Sequence, residues 1–259
     1  MKRRAVPGLA WIMAAGLAAF AFALVAFAPA TLIDARLAAL SDGRLRITEA
    51  QGSLWSGSGW LEAREANGSA GIAKRLAWRV LPISLLRGQL VAEIELDQSA
   101  RRFPITVSLS RVDIADADFN LPAAALGLGV PKLGPFRLTG DVLVKIPHLS
   151  VERGRIDGDA TLRWRAAGSA LTRIAPLGDY EVRFKASGRA VQAVLSTLEG
   201  PVRLDGNASW SNGAAPSFLA TASIPPQHQD QLAPLFRLIA IERGAGLFEL
   251  SSSQAPFGR

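Results

Sequence analysis

Two histidines, His148 and His228, are the only imidazoles in the 259-residue chain, and they lie 80 positions apart. There is no cysteine, which excludes disulfides, thiolate metal sites and a thiol nucleophile. Asp157 and Asp159 flank Gly158 on what reads as a strand, so their side chains share a face. A carboxylate pair at that spacing suits acid–base work or a cation. Arg155 and Arg163 share the same face, so the pair reads as a charge-balanced sheet surface. Gly52-Ser53-Leu54-Trp55-Ser56-Gly57-Ser58-Gly59 sets serines between glycines but lacks the strand-to-helix turn of a nucleophile elbow. No glycine-rich loop ends in a phosphate-binding lysine. These residues predict no catalysis, no metal and no cofactor, and the chain is expected not to be an enzyme.

The elements that would carry such residues are mostly strands. Leu90, Ala92, Ile94 and Leu96 alternate with Glu93, Glu95 and Asp97, and Phe103–Leu109 alternates likewise. Tyr180, Val182, Phe184 and Ala186 alternate with charged or small polar neighbours from Asp179 to Ser187. This period of two marks a strand buried on one face. Arg44–Ala50 and Lys74–Val80 read as further strands. Asn67–Gly71 reads as a turn and Leu247–Leu250 as a last strand, with a polar tail beyond Ser251. Thr31–Leu40, Ala190–Leu198 and Gln227–Ile241 read as helices, and Pro82–Arg87 as one helical turn stopped by Gly88. Asp116–Pro135 reads as a connection between two strand groups. Around Gly140, Gly158 and Gly206 a weak repeat sets glycine on the apolar face, where rings such as Trp164 and Trp210 would cover the missing side chain.

Glycines inside a strand pattern also mark Gly52–Trp60. Large rings over a close backbone approach would make a hairpin of Gly52, Leu54, Trp55, Gly57 and Trp60, the motif proposed here for packing or interaction. The fold expected is mainly β: an N-terminal transmembrane helix, then a long antiparallel sheet with a few short helices. The sheet either curls or packs as a two-lobed sandwich, with lobes at about 41–115 and 133–250. Otherwise its apolar face is left as a groove for a lipid chain or a partner segment. A groove filled by Trp55, Trp78, Trp164 and Trp210 would remove the lipid reading.

The transmembrane helix is expected at 5–28, which is uncharged and follows Lys2-Arg3-Arg4. A helix rises about 1.5 Å per residue, so about 20 residues cross the hydrocarbon core. The basic triplet predicts a cytoplasmic end at 1–4 and an extracytoplasmic domain at 29–259. A cleaved signal peptide is the rival, with Ala26-Phe27-Ala28 as its site, but the apolar run is longer than a signal h-region and Pro29 follows the cut. The formal charge is +7, and without the triplet 26 basic residues face 22 acidic ones. With no basic run, nucleic acid is not an expected partner.

The order of several motifs resembles one family. After the anchor come Gly52-Ser-Leu-Trp-Ser-Gly57, Leu76-Ala-Trp78 and Pro82-Ile-Ser-Leu-Leu-Arg-Gly88. Gly158, Leu162-Arg-Trp164, Leu177-Gly-Asp-Tyr180 and Gly200-Pro-Val-Arg-Leu-Asp-Gly206 with Trp210 follow. This succession is similar to protein N of the bacterial type II secretion system, also called general secretion pathway protein N. The resemblance implies a single-pass inner-membrane protein with a periplasmic domain, an accessory to export of folded proteins across the outer membrane. It implies other inner-membrane components of the apparatus as partners and carries over no catalytic residue. The alternative is a membrane-anchored lipid-binding or lipid-transfer module that uses the apolar sheet face.

Overall fold

The computed structural model describes residues 7–64, 71–97, 101–129, 131–211, 215 and 217–251. The basic end, the start of the apolar run, most of the 67–71 turn and the tail beyond Ser251 lie outside the described residues.

Helix α1 (Pro7–Ala26) contains no charged residue, and Pro7 at its start has no N–H to leave unpaired. Among the side chains described, no helix is long and apolar enough to cross a membrane. Pro7–Ala10, Ile12, Ala18, Ala21 and Phe22 of α1 lie outside that set. Helix α2 (Thr31–Leu40) runs back along the first strand.

The rest is one antiparallel sheet of fourteen strands. The first six are β1 (Leu45–Gly52), β2 (Ser56–Ala63), β3 (Ile72–Leu81), β4 (Leu90–Leu96), β5 (Phe103–Val107) and β6 (Arg111–Pro122). Helix α3 (Ala124–Gly129) then leads to β7 (Leu138–Glu152), β8 (Arg155–Ser169), β9 (Gly178–Ser187), β10 (Ala190–Glu199), β11 (Arg203–Ser211) and β12 (Ser217–Ser223). Each strand pairs with the next in sequence, so this is a meander. Helix α4 (Gln229–Arg237) crosses back before β13 (Ile241–Gly244) and β14 (Leu247–Ser251), and β14 inserts between β12 and β13. The sheet is open, with β1 and β13 as its edges. A single sheet replaces the sandwich alternative.

Register follows the apolar pattern. Tyr180, Val182, Phe184 and Ala186 of β9 pair with Thr197, Leu195, Ala193 and Val191 of β10. That pairing corrects the helix expected at Ala190–Leu198. Val191, Ala193 and Leu195 share the apolar face, while Val194 and Leu198 face outward and are exposed. The i, i+3 spacing of Val191 and Val194 mimics a helix, but hydrogen bonds to strands on both sides decide for extended backbone. β6 likewise extends into the stretch read as a connection and pairs with β7 as far as Pro122. The helix expected at Gln227–Ile241 is shorter, because Ile241 already belongs to β13.

Register shifts at Thr48/Gln51, Lys145/His148 and Trp164/Ala167 are bulges that bend the strands. Gly158 and Gly206 do sit in the ladder, but a side chain there would meet backbone of His148 and Leu149, or Ala220, and not a tryptophan ring. The ring cover expected at the repeat is absent at those two glycines.

Helices cover the apolar face at its two ends. α2 packs Ile33 and Leu37 over Ile47, Leu76 and Trp78. α4 packs Leu232 and Phe236 over Val202, Ala222 and Phe248. Phe248 is fully buried, with its ring 5.5 Å from that of Phe236. Phe248→Ala is expected to cost about 3–5 kcal/mol of stability, read as a lower urea midpoint.

Candidate interaction surface

The Gly52–Gly57 motif forms the turn between β1 and β2, and it holds the end of α1. The last carbonyls of a helix lack partners inside it. Here the Trp55 indole Nε1 donates to the Val25 carbonyl at 2.9 Å, and the Leu54 amide donates to the Ala28 carbonyl at 2.8 Å. The Ala30 amide returns a bond to the Gly52 carbonyl at 3.3 Å, and Pro29 bridges to Ser53. β3 locks the turn from the other side. Its Val80 amide donates to the Trp55 carbonyl at 2.7 Å, and the Trp78 indole donates to the Ser53 carbonyl at 3.2 Å.

Both glycines are required by this geometry. Gly52 has φ +92°, and a Cβ there would lie 2.5 Å from the Ser56 carbonyl oxygen. A Cβ on Gly57 would lie 2.5 Å from the Trp78 ring. The motif therefore brings Gly52, Leu54, Trp55 and Gly57 together as a clasp. Trp60 is not part of it. It stands on the opposite face beside Thr48 and Arg75, 41% exposed.

Asp34 was not singled out in the sequence, yet it closes the β1 edge. Its carboxylate accepts from Arg46 Nε and Nη2 at 2.9 and 2.8 Å and from the Ile47 amide at 2.7 Å. The Arg46 hydrogen bonds hold the Asp34 carboxyl below the usual Asp range, against a smaller opposing push from burial. An acidic residue in the first turn of a short helix was the available signal, but its strand partner was not readable. At the other edge, β13 exposes all four of its residues.

Between the two helix-covered ends the apolar face is half-buried. Trp55 and Trp78 fill its α1 end. Trp164 stands against Tyr180 and Trp210 against Phe184, with ring centroids 6.1 and 6.4 Å apart, and Trp210 remains partly exposed. At the far end of β1–β4, a cavity of about 720 Å³ is lined by Leu40, Leu61, Ile72, Leu96, Phe119 and Leu128 among others. Arg44, Arg64 and Lys74 line the same cavity, with Arg64 bonded to Glu62 and Lys74 to Asp97.

Asp157 accepts the Gly188 amide at 2.8 Å, a turn contact. Among the described residues, no three His, Asp or Glu side chains gather as a metal site. Tyr180 is buried and donates to the Val202 carbonyl at 2.9 Å; burial pushes its phenol pKa upward.

The family described as "Type II secretion system (T2SS), protein N" matches residues 43–251, from the start of β1 to the end of β14. The chain belongs to the type II secretion system protein N family. No curated protein and no solved structure matches it. Membership makes this protein a type II secretion component and implies contact with other components of that system. The matched span covers the entire sheet and the Gly52–Gly57 clasp, and leaves out α1 and α2.

One outcome tests the clasp and another the closed β1 edge. Gly57→Val is expected to cost about 1–3 kcal/mol by overpacking against Trp78, with faster proteolysis between α2 and β1. The Asp34 contribution is present above the unfolded Asp pKa of about 3.9 and is lost as pH falls through the lower folded value. Asp34→Asn should therefore flatten the acid limb of a stability–pH curve below about pH 4. An unchanged acid limb would remove Asp34 as the edge closure.

Proposed function

We propose that this protein is a membrane-tethered scaffold of the type II secretion apparatus, with no bond-making of its own. In this reading α1 spans the inner membrane, Lys2, Arg3 and Arg4 stay in the cytoplasm, and residues 29–259 lie in the periplasm. Twenty residues at about 1.5 Å each give α1 about 30 Å, the thickness of the hydrocarbon core. The sheet, curled by its bulges, presents its free edge and apolar face to neighbouring components.

The observation that carries this is the clasp. Val25 and Ala28 at the end of α1 are hydrogen-bonded into the β1–β2 turn, with no flexible linker between helix and sheet. A sheet held so close to the bilayer is confined to a thin layer, which raises its effective concentration for neighbours anchored in the same membrane. α2 and Asp34 block β1, so a partner strand would add at β13. Ile241 is exposed there.

A second reading rests on the 720 Å³ cavity, which falls in the ~300–1,000 Å³ range of ligand sites. Its apolar wall and basic side chains suit an anionic lipid, and the protein would then bind or transfer lipid along the sheet.

Tagged protein, crosslinked in membranes and purified, should bring down other secretion components. Ile241→Lys, which places a charge on the free edge, should reduce that recovery without lowering the membrane level of the protein. Protease added to spheroplasts should digest the sheet domain and spare it in intact cells. Recovery of no secretion component by the unmodified protein would count against the scaffold. Lipid co-purifying with the unmodified protein and lost in Leu61→Trp would favour the second reading.

A further inference from the structure

The Pro82–Arg87 turn joins β3 to β4, and none of its apolar side chains belongs to the two core clusters. Ser84 is buried, donates to the Leu81 carbonyl at 2.6 Å and accepts from the Val91 amide at 3.0 Å. Gly88 in the left-handed region ends the turn. This fixes the backbone, yet Ile83 is 71% and Leu86 83% exposed. Burial of large aliphatic side chains is favourable, so a rigid turn that holds Ile83, Leu86 and also Leu85 in the open needs another account.

The same end of the sheet carries more of these residues. Leu90 pairs with Val107, so the β5–β6 turn lies beside the β3–β4 turn, and its Leu109 is fully exposed. Arg111 pairs with Glu152, which puts the β7–β8 turn next in line. Arg87, Arg111, Arg153 and Arg155 lie on these three turns or at the strand ends beside them. Arg111 is held by Asp113 at 2.8 Å, and Glu152 and Asp157 are further carboxylates there, Asp157 accepting the Gly188 amide. This is also the end where α1 joins. Phe27 is 83% exposed, and the bonds Val25–Trp55–Val80 reach within two residues of Pro82.

We infer that this rim, Ile83 and Leu86 with Leu109, rests in the headgroup region of the bilayer that receives α1, on the side where the sheet lies. The occupant is a phospholipid surface with anionic headgroups. Aliphatic side chains at loop tips enter the acyl boundary, and the arginines beside them meet lipid phosphates, as amphipathic surfaces do at interfaces. The inference rests on the proposed membrane role of α1 and deepens it: the sheet stands on the membrane through several turns as well as one helix. Such a footing adds points of support to the clasp and steadies the tilt of the sheet.

The chain has no native cysteine, so single-site labelling is direct. Full-length protein carrying Leu17→Cys, Leu86→Cys, Leu109→Cys or Leu171→Cys is labelled with a polarity-sensitive fluorophore. Each is placed in phosphatidylcholine nanodiscs with and without phosphatidylglycerol, and nitroxide lipids and aqueous iodide serve as quenchers. Leu171 follows the C-terminal end of β8, at the opposite end of the sheet, and is exposed. The expected result is lipid quenching and iodide protection at 17, 86 and 109, with the reverse at 171. Quenching at 109 should strengthen with phosphatidylglycerol and lose that gain in Arg87→Gln/Arg153→Gln. Lipid quenching at 17 but not at 86 and 109 would overturn the footing and leave the anchor standing. If 17 also behaves like 171, the anchor reading itself fails. Iodide protection at 86 and 109 without lipid quenching would overturn the footing and assign the rim to contact between copies of this chain, and equal quenching in both disc types would remove the anionic preference.

Discussion

An open antiparallel ladder with one apolar face is the constraint that the other features answer. Each internal strand satisfies its backbone on both sides, but the two outermost strands cannot, and an uncovered apolar face costs free energy. The chain answers differently at each place. At the first edge, α2 lies along β1 and the Asp34 carboxylate takes the Ile47 amide. At the last, β13 is kept to four residues that carry Glu242 and Arg243, bonded to Arg237 and Glu249. On the apolar face, α2 and α4 seal the ends, and the middle is left half-buried.

That arrangement explains why the glycine–tryptophan hairpin is built as it is. A turn that receives a helix end must bring backbone close to backbone, which excludes Cβ atoms at Gly52 and Gly57. It must also offer donors to the last carbonyls of the helix, and the Trp55 indole and Leu54 amide do so. The match to protein N of type II secretion begins at residue 43 and so includes this turn.

Much of the sheet was legible because strict alternation has a single physical meaning. β4 and β9 were plain for that reason, and the Pro82–Arg87 turn was plain from its proline and glycine. β10 was misread because Val191, Val194, Leu195 and Leu198 satisfy a helical spacing, whereas the strand sends Val191 and Leu195 to one face and Val194 and Leu198 to the other. Only hydrogen bonds to β9 and β11, more distant information than any window holds, separate helix from strand. β13 was missed because a four-residue edge strand with two charges has no apolar period. In the clasp, the packing of Gly57 under an indole was foreseeable, but which indole was not, since Trp78 lies 21 positions away. Trp60 shows the limit of reading by proximity: three residues from Gly57 in sequence, it faces the opposite side of the sheet.

The strand order carries one more consequence, for assembly. Every pairing up to β12 joins sequence neighbours, so the sheet can grow strand by strand as the chain is made. α2 blocks the first edge early, and growth then proceeds at one advancing front. The chain crosses over through α4 only at the end, and β14 slots between β12 and β13. The final pair therefore enters out of sequence order, with β14 laid against β12 and β13 left as the outer strand.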